Sequence, residues 1–320
     1  MKSKLICVSG NLFLYSTVTR SAVKVLVTGG SGFLGSHVCT KLLKKRDGVV
    51  IFDLKPPEEQ ILTDSNVSYV QGDIRDESAV EEAASDCNAT IHLAAIADVD
   101  TCQQNPRHAL QVNVEGTRVV LESARWNYHK KFIFASSAAV YGDQKKMPIN
   151  EDCKLMPRSI YGVTKASAEL LVNSYSYAYS FPCTVLRFFN IYGPNPGYAG
   201  VIPSFIRGAV EHGRVTIFGS GRQTRDFIYV DDAADAVVKS LHSSKKGIYN
   251  VGTGKESSVL KIASIVERVT GKKIHKEFRD SKESEIMRSV ADITKIVKEI
   301  GWRPKTNIVK GIKNIAGPSQ

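Results

Sequence analysis

The chain has 320 residues, 42% of them hydrophobic and 23% charged, a balance ordinary for a soluble globular protein with a large core in one or two domains. Its formal net charge is +11, yet the 43 Lys and Arg residues are scattered, with only short clusters such as Lys44-Lys45-Arg46. No zinc-finger, helix-turn-helix or aromatic-basic signature accompanies them, and no apolar run approaches the ~20 residues that span a bilayer. Nucleic acid and membrane are therefore not expected partners, and an anionic small molecule explains the charge more simply.

Cys7, Cys39, Cys87, Cys102, Cys153 and Cys183 show neither a CxxC pair nor metal-ligand spacing. They read as reduced thiols of a cytoplasmic protein, and no metal is expected. Met1 to Ala22 carries Lys2, Lys4 and Arg20, no acid, and a short apolar patch at Leu12-Phe13-Leu14-Tyr15. That patch is too short for a signal peptide and lacks a small-residue cleavage site. Residues 1–22 are read as a flexible extension or a misassigned start, with the domain beginning at Val23 or Lys24.

From there the pattern is regular. Lys24-Val-Leu-Val-Thr28 reads as a strand, followed at once by Gly29-Gly-Ser-Gly32-Phe-Leu-Gly35 and a helix from Ser36 to Lys45. Glycines at this point allow a tight turn and close approach of backbone to a pyrophosphate seated on the helix N-terminus. A second strand from Gly48 ends at Asp53, an acid placed to accept hydrogen bonds from an adenosine ribose and to repel a 2′-phosphate, which favours NAD over NADP. A strand from Val67 to Val70 leads through Gly72-Asp73-Ile74-Arg75-Asp76 into a helix from Glu77 to Ala84. Thr90-Ile-His-Leu93 is the fourth strand, running into Ala94-Ala95. A long helix is predicted from about Pro106 to Trp126, and a fifth strand from Lys131 to Ala135. The alternation implies an α/β fold, a parallel sheet wound on both faces, with ligands at the carboxyl ends of the strands. His92 lies within a strand and is read as packed. Asn113 has no spacing partner and reads the same way, with a hydrogen bond near the site.

The fifth strand delivers Ser136-Ser137-Ala138-Ala139-Val140-Tyr141-Gly142, and Tyr161-Gly-Val-Thr-Lys165 follows. A phenol and an ammonium four residues apart share one side of a helix. With a strand-end hydroxyl they form a device for taking a proton from an alcohol. A tyrosine near pKa ~10 is a poor base at neutral pH, and a neighbouring cation favours its phenolate.

The ordered segments TGGSGFLGSH, GDIRD, HLAA, SSAAVYG, YGVTK, RFFNIYGP and RDFIYVDD resemble the extended short-chain dehydrogenase/reductases, and within them the UDP-glucose (UDP-galactose) 4-epimerase branch. The resemblance covers about Val23 to Pro304. It implies a Rossmann-type domain over 23–187 and about 230–250, and a smaller nucleotide-sugar-binding α/β domain over about 188–229 and 251–320. It implies tightly bound NAD held by Gly29, Gly32, Phe33, Leu34, Gly35 and Asp53, then Asp73 and Ile74, Leu93, Ala94 and Ala95, Asn113 and Phe188, with Tyr161 and Lys165. The implied catalytic set is Ser137, Tyr161 and Lys165, with Ser136 structural. The implied substrate is a UDP-sugar, oxidised at C4 and reduced again on its other face. It would meet Ser137 and Tyr161, Asn190 at its diphosphate, Val201 at the start of a pocket-lining helix, and Arg225 at a phosphate. Val215 to Phe218 would be a strand beside the uracil. Lys282 or Arg279 fills a second cationic position. Ser289 occupies a position where small residues admit N-acetylhexosamines. Related dehydratases and decarboxylases carry an acid where this chain has Ala138-Ala139, so dehydration is disfavoured. The resemblance also implies a homodimer through the helices 106–126 and 161–179. It leaves open another NDP-sugar epimerase or reductase, and a non-catalytic dinucleotide-binding regulator.

Overall fold

The computed structural model describes residues 23–194, 200–281 and 286–317, together with the backbone of 4–8 and 11–15. Those two short segments pair antiparallel as a hairpin of their own, Lys4 opposite Tyr15. The remainder of the predicted N-terminal extension lies outside the described residues.

The central sheet has seven strands: β1 (Lys24–Thr28), β2 (Gly48–Asp53), β3 (Val67–Gln71), β4 (Ala89–His92), β5 (Phe132–Ser137), β6 (Cys183–Phe188) and β7 (Gly247–Val251). Their order is β7-β6-β5-β4-β1-β2-β3, and every pair is parallel. Parallel strands are buried on both faces, which is why β1, β2, β5 and β6 read as continuous apolar runs. On one face the helices Phe33–Lys44 and Val230–Leu241 pack over Val27, Ile51, Ile133 and Leu186. On the other, Glu77–Ala84, Gly116–Trp126 and Ile160–Ala178 cover Leu26, Phe52, Phe132 and Val185. The chain reverses its strand order between β1 and β4, and the carboxyl ends there form a crevice.

Most predicted elements recur within a residue or two. The long helix does not: Pro106–Leu110 and Gly116–Trp126 are separated by a π-helical turn, Gln111–Glu115. Its Asn113 carbonyl accepts the Thr117 hydroxyl at 2.7 Å, and such turns recur at functional positions.

Beyond β6 a second lobe forms around the strand Thr224–Tyr229, which pairs with Asn190–Tyr192, Glu256–Ser258 and Arg288–Ser289. The helices Val201–Arg207, Val259–Thr270 and Ile308–Ala316 close its own core around Tyr192, Phe227, Ile262 and Ile312. The helix Ile308–Ala316 is packed closely, with Gly311 against the Tyr192 ring. Asp231 and Asp232 lie in the first turn of Val230–Leu241, where acids suit the helix N-terminus; the Asp232 carboxylate also accepts the N–H groups of Lys305 and Thr306, and Asp231 pairs with His37. Trp302 is fully buried and donates its indole N–H to the Asp232 carbonyl, tying the end of the chain to the sheet layer.

Candidate active site

The glycine turn is set by backbone, not by side chains. Gly29 has φ +71°, and a Cβ there would lie 2.6 Å from the Ala94 nitrogen; one at Gly35 would lie 2.1 Å from the Gly29 carbonyl oxygen. The turn is therefore pressed against Leu93-Ala94-Ala95 and folded back on itself. The helix Phe33–Lys44 opens at Gly32 with no side-chain cap and no acid in its first turn, so its N-terminal N–H groups face the crevice. The Ser31 hydroxyl is buried beside them without a hydrogen-bond partner. Asp53 accepts the Ser31 N–H at 3.1 Å, and its carbonyl accepts Gly72 N–H at 3.1 Å, which brings the 72–74 segment alongside. Asp73 is chelated by Arg75, whose hydrogen bonds hold its carboxyl below the usual range. Ile74 is buried against Gly116. An open helix end, an orphaned hydroxyl and a strand-end acid fit a dinucleotide.

His92 is packed, as expected. Its Nδ1 meets the Thr28 hydroxyl at 2.6 Å and its Nε2 meets Thr117 Oγ1 at 2.9 Å. The Thr117 proton is already given to the Asn113 carbonyl, so Nε2 is the donor and Nδ1 accepts from Thr28. Burial pulls the imidazole down to about 3, and it stays neutral. Asn113 is committed to the protein: Oδ1 accepts from Ile96 N–H, while Nδ2 donates to the Ile96 carbonyl and to Thr164. It braces the loop after β4 against the helix that carries Tyr161. Its predicted contact to the cofactor is thereby narrowed to the spare lone pair of Oδ1.

That helix, Ile160–Ala178, is capped by Ser159, whose hydroxyl accepts Gly162 N–H at 3.1 Å. Gly162 is required by proximity: a Cβ there would lie 2.7 Å from the Ala139 carbonyl. The helix start thus abuts the turn that follows Ser137. Ser137 caps this turn, Ala138–Val140, accepting Ala139 N–H at 3.2 Å. Its acceptor side is partly used and its proton is left for a ligand. One helical turn past Tyr161, Lys165 donates Nζ to the Ala135 carbonyl at 2.9 Å and lies over the Phe134 ring. Burial pulls its ammonium down to about 8, with Cys102 opposing. Ser136 donates instead to Glu169 and faces away from the crevice chemistry.

On the second lobe, Arg225 and Ser289 are register partners on parallel strands, and Arg225 donates to the Thr224 carbonyl. Asn190 is exposed at the start of its strand, and Val201 opens its helix. Phe188 is buried at the end of β6. Arg279 is exposed at the end of the strand His275–Arg279; Lys282 lies outside the described residues. The residues missed in the sequence are Ser31, Gly162, Thr164, Glu169 and Arg187. Ser31, Gly162 and Thr164 lie inside the glycine turn and the Tyr-Gly-Val-Thr-Lys segment, and Arg187 opens RFFNIYGP with nothing there to mark its role; Glu169 carried no signal.

Residues 25–252 match the NAD dependent epimerase/dehydratase family. The chain belongs to this family. Its hydride carrier is accordingly NAD, and the glycine turn, Asp53 and the unpartnered Ser31 hydroxyl suit that assignment. A UDP-glucuronate 4-epimerase of Thermodesulfobacterium geofontis is 34% identical over 302 residues, 90% of this chain and 93% of that one. A UDP-glucose 4-epimerase of Thermus thermophilus, solved in complex with NAD, is 32% identical with a TM-score of 0.84, covering 92% of this chain and 97% of its own. A UDP-N-acetylglucosamine 4-epimerase of Methanobrevibacter ruminantium is 33% identical with a TM-score of 0.86 over the same shares. These three relatives are epimerases named for three different sugars. The chain is an isomerase of this NAD-dependent kind, and no helix among the described residues is long and apolar enough to cross a membrane.

Proposed function

We propose that the protein is a nucleotide-sugar 4-epimerase that interconverts UDP-glucose and UDP-galactose through a transient 4-keto sugar. The observation that carries this is the docking of the Tyr161 helix on the strand end: Gly162 lies against Ala139, and Lys165 is anchored on Ala135. These contacts support a site shared by the Tyr161 phenol, the Lys165 ammonium and the Ser137 hydroxyl. NAD, when bound, takes up a hydride and gives it back. Tyr161 accepts the proton of the sugar 4-hydroxyl and later returns it, Lys165 favours its phenolate, and Ser137 donates to the same oxygen. Ala138 and Ala139 offer no acid to expel a 6-hydroxyl, which favours simple return of the hydride over dehydration. In this reading, 23–187 with about 230–250 hold NAD, and about 188–229 with 251–320 hold the UDP-sugar through Asn190, Val201, Arg225 and Ser289. The role that follows is cytoplasmic, in galactose metabolism, as a homodimer.

Conversion of UDP-galactose to UDP-glucose by the purified protein, with no net change in its NAD, is the test. No interconversion across UDP-, CDP- and GDP-sugars sinks the reading. The small, buried Ser289 beside Arg225 favours a second substrate pair, the UDP-N-acetylhexosamines. A protein with its NAD site filled that epimerises UDP-galactose but never UDP-N-acetylgalactosamine rules that extension out.

A further inference from the structure

A row of polar side chains crosses the sheet behind the strand end that carries Ser137. Ser136 on β5 is the register partner of Arg187 on β6, and Arg187 is the partner of Asn250 on β7. All three are buried. Partners in parallel register point to the same face, so the row meets a common set of neighbours. Ser136 donates its hydroxyl to Glu169 Oε2 at 2.9 Å. Arg187 donates Nε to both Glu169 oxygens at 3.1 Å and Nη2 to Oε1. Its Nη1 donates to the Tyr141 hydroxyl at 2.8 Å and to the Glu151 carbonyl at 2.9 Å. Tyr141 passes its own proton to Asn250 Oδ1 at 2.6 Å, and Asn250 Nδ2 donates to the carbonyls of Ile149 and Asp292.

Glu169 stands four residues after Lys165 and eight after Tyr161, on one helical stripe. The helix is therefore pinned to β5 at two consecutive residues, Lys165 on the Ala135 carbonyl and Glu169 on the Ser136 hydroxyl. The next residue of the strand is Ser137. Apolar packing alone would hold a helix on a sheet but would tolerate sliding; a directional bond to one hydroxyl does not. A buried ion pair is an expensive way merely to stabilise a fold, which points to a demand for register. At the far end of the row, Asn250 grips Asp292, three residues beyond Ser289, the partner of Arg225.

We infer that Ser136 and Glu169, with Arg187 as counter-charge, are positioning residues that set the Ser137 hydroxyl against Tyr161, and that the Tyr141–Asn250 arm sets the substrate-side segment 288–292. This rests on the epimerase reading above. The experiment compares NAD-loaded wild type, Ser136→Ala, Ser136→Cys and Tyr141→Phe in steady-state turnover of UDP-galactose, with melting temperature and NAD content measured alongside. Ser136→Ala leaves the ion pair whole; kcat falls about tenfold or more while KM stays within about twofold, as a displaced reacting group predicts. Ser136→Cys keeps the volume with a weaker donor and gives an intermediate kcat, and it serves if the Ala variant fails to fold. Tyr141→Phe raises KM about fivefold and leaves kcat within about twofold. Full kcat in the Ser136 variants, or kcat and KM lost together with melting temperature in all of them, overturns the inference. A wild type inactive on every sugar tested overturns the epimerase reading, and this one with it.

Discussion

Lys165 is enclosed, and burial draws its ammonium from the ordinary 10.5 to about 8. Between those pH values the unfolded chain binds a proton that the folded chain, without ligand, does not. Stability of the unliganded protein therefore rises with pH across that window, and below about 8 the charge costs stability in full. A Lys165→Met protein should lack this slope, so the gap in melting temperature between it and wild type changes between pH 8 and 10.5 and is constant below 8; calorimetry at stepped pH reads it. The same variant should lose turnover, because in the proposed mechanism the group that strains the empty protein is the one that favours the Tyr161 phenolate. Tyr161→Phe removes only a hydroxyl, so kcat should fall roughly 10²–10⁴-fold with bound NAD unchanged by absorbance after denaturation. Full activity would remove Tyr161 as the base. At this scale the sequence was readable where chemistry is carried by a spacing: Tyr161 with Lys165, the glycines with Asp53. It was silent on Glu169 and Arg187, since charges on a helix and a strand look like solvated surface until the fold stacks one against the other.

Among the elements, the turn 29–35 makes the sharpest demand. Gly35→Ala would drive a methyl into the Gly29 carbonyl, whereas the sheet beneath depends on β1 and β2, which it does not touch. Retention of NAD through gel filtration should fall at least about tenfold with helix content preserved by circular dichroism; a variant that purifies with wild-type NAD content contradicts this. The first strands of the sheet were legible as short apolar runs between turns and helices, and the helix of Tyr161 through its four-residue spacing to Lys165. The π turn at 111–115 was not, because what opens it is tertiary: Asn113 reaching Ile96 and Thr164, and Thr117 meeting His92. Strands of two or three residues, such as Arg288–Ser289, are likewise too short to impose a period and exist only through Arg225 beside them.

For the molecule as a whole, the helix Ile160–Ala178 leaves Val163 and Leu170 exposed, 40% and 62%, seven residues apart on one stripe. If this is the face through which two copies pair, Leu170→Glu should convert a dimer to a monomer in sedimentation, with unchanged NAD content; a wild type that sediments as a monomer refutes the pairing. The lobe boundary is crossed repeatedly. The chain leaves the sheet after β6, builds Asn190–Tyr192 and Thr224–Tyr229, returns for Val230–Leu241 and β7, and leaves again. Trp302, buried against Asp232, fastens the end of the chain back onto the first lobe. Trp302→Ala should cost about 3–5 kcal/mol and lower a single melting transition, not split it in two.

The late arrival of β7 has a consequence for how the protein is made. As the chain emerges from the ribosome, β6 is the outer edge of an incomplete sheet, with its peptide groups unpaired, until residue 251 is free. Nascent chains stalled before residue 247 should therefore be sticky and engaged by holding chaperones, and those stalled well past 251 should not. Equal chaperone occupancy at both lengths would show that the open edge is shielded some other way.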